Sequence, residues 1–250
     1  MSTPVMSVSL PETRRTFILA SGVIGTAALL GGCDSGDETS ASVHHEYQPK
    51  EVTADEDLLR EHGVLRRALL VYSESAVRLR RNPVSVPADA LRGTAQLFRR
   101  FGEDYHERSL EEPYVFPVLR RAPGTASRYV DILISQHNRG REITDFVLQI
   151  TGQGRVSAMA EALAQALTSF VWMYENHATR EDTVVLPAWE DALSGSQYGD
   201  MTGLFQQIER QTFGEDGFAD AVARIGRIEE AFGMADLAQF TAPPLPRSPT

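Results

Sequence analysis

The stretch DYHERSLEEPYVFP, Asp104 to Pro117, decides how the chain is read. It sets His106, the adjacent Glu107 and the Glu111-Glu112 pair along one helical segment, then interrupts that segment with Pro113. Carboxylates around a histidine form either a solvated acidic face or half of a metal site. The spacing is irregular as well. Position i+4 from His106, about 40° round an α-helix, is Leu110, whereas Glu111 at i+5 lies about 140° away.

Helical periodicity continues on both sides of this stretch. Upstream, Thr53 and Glu56 have capping-box spacing, and Leu58, His62, Leu65 and Leu69 recur at helical intervals. Asn82-Pro83 and Pro87 mark a break. A second helix starts at about Ala88 and turns Leu91, Ala95, Phe98, Phe101 and Tyr105 inward. Downstream, Pro123-Gly124 makes a turn, and a third helix carries Val130, Ile134, His137, Thr144 and Leu148 as far as Gly152–Gly154. A fourth, from Ser157, carries Leu163, Leu167, Phe170, Tyr174, His177 and Glu181. No stretch shows sustained strand alternation. The reading is an all-α, up-down four-helix bundle over residues 53–192, since short turns make neighbouring helices antiparallel. Two further helices, LFQQIERQTF and FADAVARIGRIEEAFG, form a helical extension over 193–240, and residues 241–250 are a proline-rich tail.

Composition bounds the partners. The 250 residues are 42% hydrophobic and 23% charged, ordinary for a globular protein. A net charge of −10 argues against nucleic acid, whose phosphates need a basic face. A single cysteine excludes an internal disulfide framework and a cysteine zinc site, leaving metals held by nitrogen and oxygen.

Residues 1–32 read as a targeting segment. Arg14-Arg15 precede an uncharged run from Phe17 to Leu30, shorter than the ~20 residues a spanning helix needs. TRRTFI resembles the twin-arginine export signal, and LGGC the lipobox of bacterial lipoproteins. That resemblance implies an exported, periplasmic or cell-envelope protein anchored to the membrane through a lipidated Cys33. The alternative is an uncleaved N-terminal anchor. Residues 33–52 are polar and aperiodic and read as a flexible tether. His44-His45 lies within it and reads as a solvated pair, because ordering the tether around a metal costs entropy.

The four remaining histidines, His62, His106, His137 and His177, fall one to a helix, in or beside the apolar stripes. One such histidine alone is a hydrogen-bonded packing residue. Four together would each need a separate buried partner, whereas imidazoles and carboxylates in a bundle core match a dinuclear iron site.

The segments EH at 61–62, DYHE…EEPYVFP at 104–117, QHNRGR at 136–141 and NHATREDTVVLP at 176–187 together resemble the hemerythrin-like, HHE cation-binding family. The resemblance implies two non-haem iron ions in a di-iron centre, with an open position for dioxygen or nitric oxide. It implies His62, His106, His137 and His177 as ligands and Glu181 as a bridging carboxylate. Helical geometry supports Glu181, at i+4 from His177, over Asp182, which remains a rival.

Two departures from the family's pattern stand out. A second histidine expected one turn after His137 is replaced by Arg141, which cannot be a neutral ligand. Glu107 is the candidate replacement, and Arg141 either pairs with a ligand carboxylate or reaches solvent. The second departure is Glu111 at i+5. A π-bulge at the turn perturbed by Pro113 would let Glu111 do the work of i+4 and reach the metal. Two functions remain open: binding or sensing of dioxygen or nitric oxide, and a di-iron oxidoreductase acting on peroxide, oxygen or nitric oxide.

Overall fold

The computed structural model describes residues 52–214 and 216–245. The expected targeting segment over 1–32, Cys33, His44-His45 and the last five residues of the tail lie outside the described residues. Six helices joined by short turns make up the described chain, which contains no strand.

Helix α1 is Ala54–Arg81, opened by Thr53, whose N–H donates to Glu56 Oε2 at 3.2 Å. It stops at Asn82, where Pro83 cannot continue it. Helix α2 is one unbroken run over 88–119, made of an α-helix Ala88–Leu97, a π-helix Phe98–Val115 and a last α turn Phe116–Leu119. Helix α3 is Val130–Gly152. Helix α4, over 160–191, is Ala160–Arg180, a π turn Glu181–Val185 and Leu186–Asp191. Helices α5 (Gly195–Phe213) and α6 (Gly217–Phe232) form the extension. Gly233 ends α6 at φ 68°, a left-handed cap that suits a residue without a β-carbon. Among the described residues no helix is long and apolar enough to cross a membrane.

Each of α1 to α4 packs on its two neighbours in a ring, α1 against α2 and α4, and α3 against the same two. The stripes read from the sequence face one another: Leu58, Leu65, Leu69, Leu91, Phe98, Phe101, Tyr105, Leu163, Leu167 and Phe170 are all buried. Each such side chain contributes about 1.5–3 kcal/mol on leaving water. Helix α6 covers the seam between α1 and α2, burying Ile225, Ile228 and Phe232, and Arg67 holds it by two bonds to Glu229 of 2.9 and 2.5 Å. The extension therefore shares the bundle's core rather than forming a second one.

The π stretch of α2 is longer than the single bulge expected at Pro113. It begins at Phe98, well upstream of the proline, and the Ser109 hydroxyl donates to the Asp104 carbonyl five residues back at 2.8 Å. The π turn in α4 was not anticipated. Both π segments end alike: Phe116 N–H donates to the Glu111 carbonyl, and Leu186 N–H to that of Glu181. A proline follows at once, Pro117 or Pro187, with no N–H to give and a ring that would crowd the carbonyl four residues back. Each carboxylate thus opens a wide turn that a proline closes.

Candidate metal centre

The four histidines, one from each of α1 to α4, meet in the bundle core, each no more than 3% exposed. Every imidazole is oriented the same way. The outward nitrogen, Nδ1, donates to a fixed acceptor: His62 to Asp182 Oδ1 at 2.6 Å, His106 to Glu61 Oε2 at 2.5 Å, His137 to Glu112 Oε1 at 3.0 Å and His177 to Gln136 Oε1 at 2.9 Å. Such partners fix ring orientation and present the other nitrogen as the metal-facing one.

The inward nitrogens converge on two fully buried carboxylates. Glu111 reaches His106 Nε2 with Oε1 and His137 Nε2 with Oε2, each at 3.4 Å. Glu181 Oε2 lies 3.0 Å from His177 Nε2 and 3.5 Å from His62 Nε2. Each carboxylate therefore straddles the two halves of the site, His62 with His106 and His137 with His177. The π-helix is what delivers Glu111: five residues after His106, it still faces the imidazole.

Glu107 takes a different place. Its Oε2 accepts from Arg141 Nη2 at 2.9 Å, its Oε1 accepts from the Tyr174 hydroxyl, and its closest imidazole nitrogen is the outward Nδ1 of His137 at 3.9 Å. It sits at the edge of the His137–His177 half, not among the inward nitrogens. Arg141 pairs with carboxylates, of Glu107 and also of Glu112 at 2.5 Å, and does not reach for solvent, being only 8% exposed. Asp182 stands behind His62, where Arg66 also holds it, so the inward position belongs to Glu181.

Sequence reasoning did not single out Glu61, Glu112, Gln136 or Tyr174 as parts of the site. Glu61 and Gln136 each directly precede one of the four converging histidines, the one signal that could have found them. Tyr174 reads as part of the apolar stripe, yet its hydroxyl enters the site because Gly140 lets it pass. A β-carbon at Gly140 would lie 2.5 Å from that oxygen.

Without metal, protons hold the cluster together. Burial disfavours charge on His106, but the Glu111 and Glu61 carboxylates outweigh it and raise its pKa well above the usual range. His137 is likewise pushed up to about 10, burial being overcome by Glu107, Glu111 and Glu112. Burial and the charge on His137 press His177 down to about 3, so it stays neutral. The two Nε2 atoms face each other at 3.2 Å, which requires that one donate and the other accept. Glu111 is held ionised by His106 and His137 against its own burial, whereas burial and the Glu111 charge push Glu181 up to about 8.

The donor set fits a cation. His106 Nε2 and all four oxygens of Glu111 and Glu181 are buried without a hydrogen-bond partner among the described residues, and they are the atoms that converge. Two groups within ligating reach share Glu111: His62 with His106, and His137 with His177 and Glu181. A cavity of about 10 Å³, room for roughly one water-sized molecule, opens beside them against Leu65, Leu69, Glu107 and Tyr174.

Comparison with known proteins agrees with this geometry. Uncharacterized proteins of Mycobacterium bovis and Mycobacterium tuberculosis are 43% identical over 224 residues, covering 89% of this chain and 86% of theirs. No solved structure matches. Residues 53–189, which carry all four histidines and both straddling carboxylates, match the hemerythrin HHE cation binding domain. By that match and the donor set it encloses, the chain belongs to the hemerythrin HHE cation-binding family.

Proposed function

We propose that the protein is a non-haem di-iron protein of the cell envelope that binds or senses dioxygen or nitric oxide. The observation that carries this reading is the pair of carboxylates, Glu111 and Glu181, each facing one inward nitrogen from either half of the site, beside a cavity for one small molecule. One iron would be held by His62 and His106, the other by His137 and His177, with Glu111 and Glu181 between them; Glu107, whose oxygens accept from Arg141 and Tyr174, would stand beside the second. Iron so held would supply one-electron chemistry.

The chain's own residues supply the surroundings. Leu65 and Leu69 keep one wall of the cavity apolar, and Tyr174 brings a hydroxyl to another. Burial and the Glu107 charge raise the pKa of that hydroxyl, which keeps it protonated. Asp182, Glu61, Glu112 and Gln136 fix the imidazole rings.

A second reading, a di-iron oxidoreductase acting on peroxide, oxygen or nitric oxide, is favoured by the Tyr174–Glu107–Arg141 network. It places a proton-bearing group where reversible carriage needs none. Envelope location rests on Arg14-Arg15 and Cys33 alone. The deciding experiment is iron analysis with visible spectra of reduced and then aerated protein. About two irons per chain are expected, and less than about one would end both readings. Colour that bleaches reversibly on removing oxygen supports binding, and turnover of peroxide or nitric oxide supports catalysis. Fractionation of cells carrying wild type or Cys33→Ala tests the anchor: wild type in the membrane fraction and the variant released is the expected result.

A further inference from the structure

One to two turns before His106 on α2, a cleft of about 230 Å³ lies between α2 and the extension, with Phe101 and Phe213 in its lining. Three guanidinium groups surround it: Arg100 from α2, and Arg224 and Arg227 from α6. In a chain with ten more acids than bases, most arginines near other elements find a carboxylate, as Arg66 does in Asp182 and Arg67 in Glu229. These three do not. Among the described residues none of them has a carboxylate within 4.0 Å, although Asp220 also lines the cleft. Their polar partners are neutral. Arg224 donates to the Gln96 amide oxygen at 3.1 Å, and Arg100 lies over the Phe213 ring, 5.4 Å from its centre. Arg224 is half-buried, and burial together with the charges of Arg100 and Arg227 lowers its pKa.

Arg100 and Arg227 are exposed and Arg224 half-buried, so water screens their mutual repulsion, and a bound anion would supply the counter-charge that the cleft lacks. Guanidinium forks match the oxygens of phosphate in bidentate fashion, and a cleft this small suits a compact group rather than a drug-sized ligand. We propose that the Arg100–Arg224–Arg227 cleft is a binding site for a phosphate-bearing anion, supplied either as a free small phosphate or as the headgroup of an anionic phospholipid. The apolar part of such a ligand lies against Phe101 and Phe213. The site is independent of the metal centre, since none of its residues belongs to the histidine cluster.

The test titrates iron-loaded full-length protein by calorimetry with inorganic pyrophosphate and with sulfate, and by co-sedimentation with phosphatidic acid or phosphatidylcholine vesicles. Saturable one-to-one binding of pyrophosphate, tighter than sulfate, supports a free phosphate. Binding confined to phosphatidic acid vesicles supports the lipid headgroup. In either case Arg224→Gln with Arg227→Gln is expected to weaken binding at least tenfold (about 1.4 kcal/mol). Asp220→Asn strengthens it, and Arg128→Gln, an exposed arginine elsewhere, leaves it unchanged. Iron content equal to wild type and an unchanged helical circular dichroism spectrum separate loss of the site from loss of the fold. Absence of saturable binding to either probe overturns the proposal. So do pyrophosphate binding no tighter than sulfate together with no preference for phosphatidic acid over phosphatidylcholine vesicles, and equal losses in the Arg128→Gln control.

Discussion

At the scale of single residues, the site consists of two concentric sets with separable roles. Glu111 and Glu181 point both oxygens at positions where no protein atom satisfies them. Replacing either by Ala removes one side of both proposed metal positions, and iron per chain is expected to fall below about one tenth of wild type by atomic absorption. The outer acceptors act more mildly. Glu61→Gln or Glu112→Gln leaves the ligands in place but loosens a ring, and the expected cost is roughly 10–100-fold in metal affinity, read by chelator competition. Gly140→Ala addresses neither set directly. Its methyl group would displace the Tyr174 hydroxyl from Glu107. Iron content should persist while the visible spectrum of the loaded protein shifts. Loss of iron instead would mean that Tyr174 holds the site together.

The residue scale is also where sequence reading reaches its limit. The histidines were legible because each interrupts an apolar stripe, a periodic signal. Glu181 was legible because i+4 geometry separates it from Asp182. The place of Glu107 was not legible, because its partners Arg141 and Tyr174 come from α3 and α4 and only packing brings them to α2. Gly140 gave no signal, since its importance is a clearance.

At the scale of the element, α2 leaves α geometry from Phe98 through the turn that holds Glu111, and α4 leaves it at Glu181 itself. The mismatch between His106 and Glu111 announced this for α2. In α4 the ligands keep four-residue spacing, so the sequence held no anomaly to notice. Because the π register of α2 begins at Phe98 and ends before Pro117, Pro113 lies inside it and is not its sole cause. Pro113→Ala is therefore expected to retain full iron content. Loss of iron in that variant would make Pro113 the cause after all.

At the scale of the molecule, protonation links metal binding to folding. His137, raised to about 10, favours the folded metal-free protein fully below its ordinary value near 6.5, and that contribution disappears as pH rises through about 10. Glu181, Glu103 and Asp57, raised to about 8, 7 and 7 chiefly by burial, act in the same direction over lower windows, favouring the fold below ordinary carboxylate values. Metal-free protein should therefore melt at a lower temperature as the pH is raised from about 6 to about 10, with a smaller change for iron-loaded protein. Binding must also displace the His106 and His137 protons, so iron affinity should fall at least about tenfold per unit of acidification below neutrality. A metal-free melting temperature that rises with pH would contradict the assignment of charge.

The wide turns carry a kinetic consequence. The four histidines and the straddling glutamates are at most 3% exposed, and the cavity beside them admits little more than one water. A hydrated ferrous ion is larger than that cavity. Loading must then await local breathing of the bundle, and the π segments Phe98–Val115 and Glu181–Val185, which carry Glu111 and Glu181, are where opening is expected. The rate of iron uptake should thus level off as iron concentration rises, at a ceiling equal to the opening rate of those two segments, read as their amide exchange rate under conditions where every opening leads to exchange.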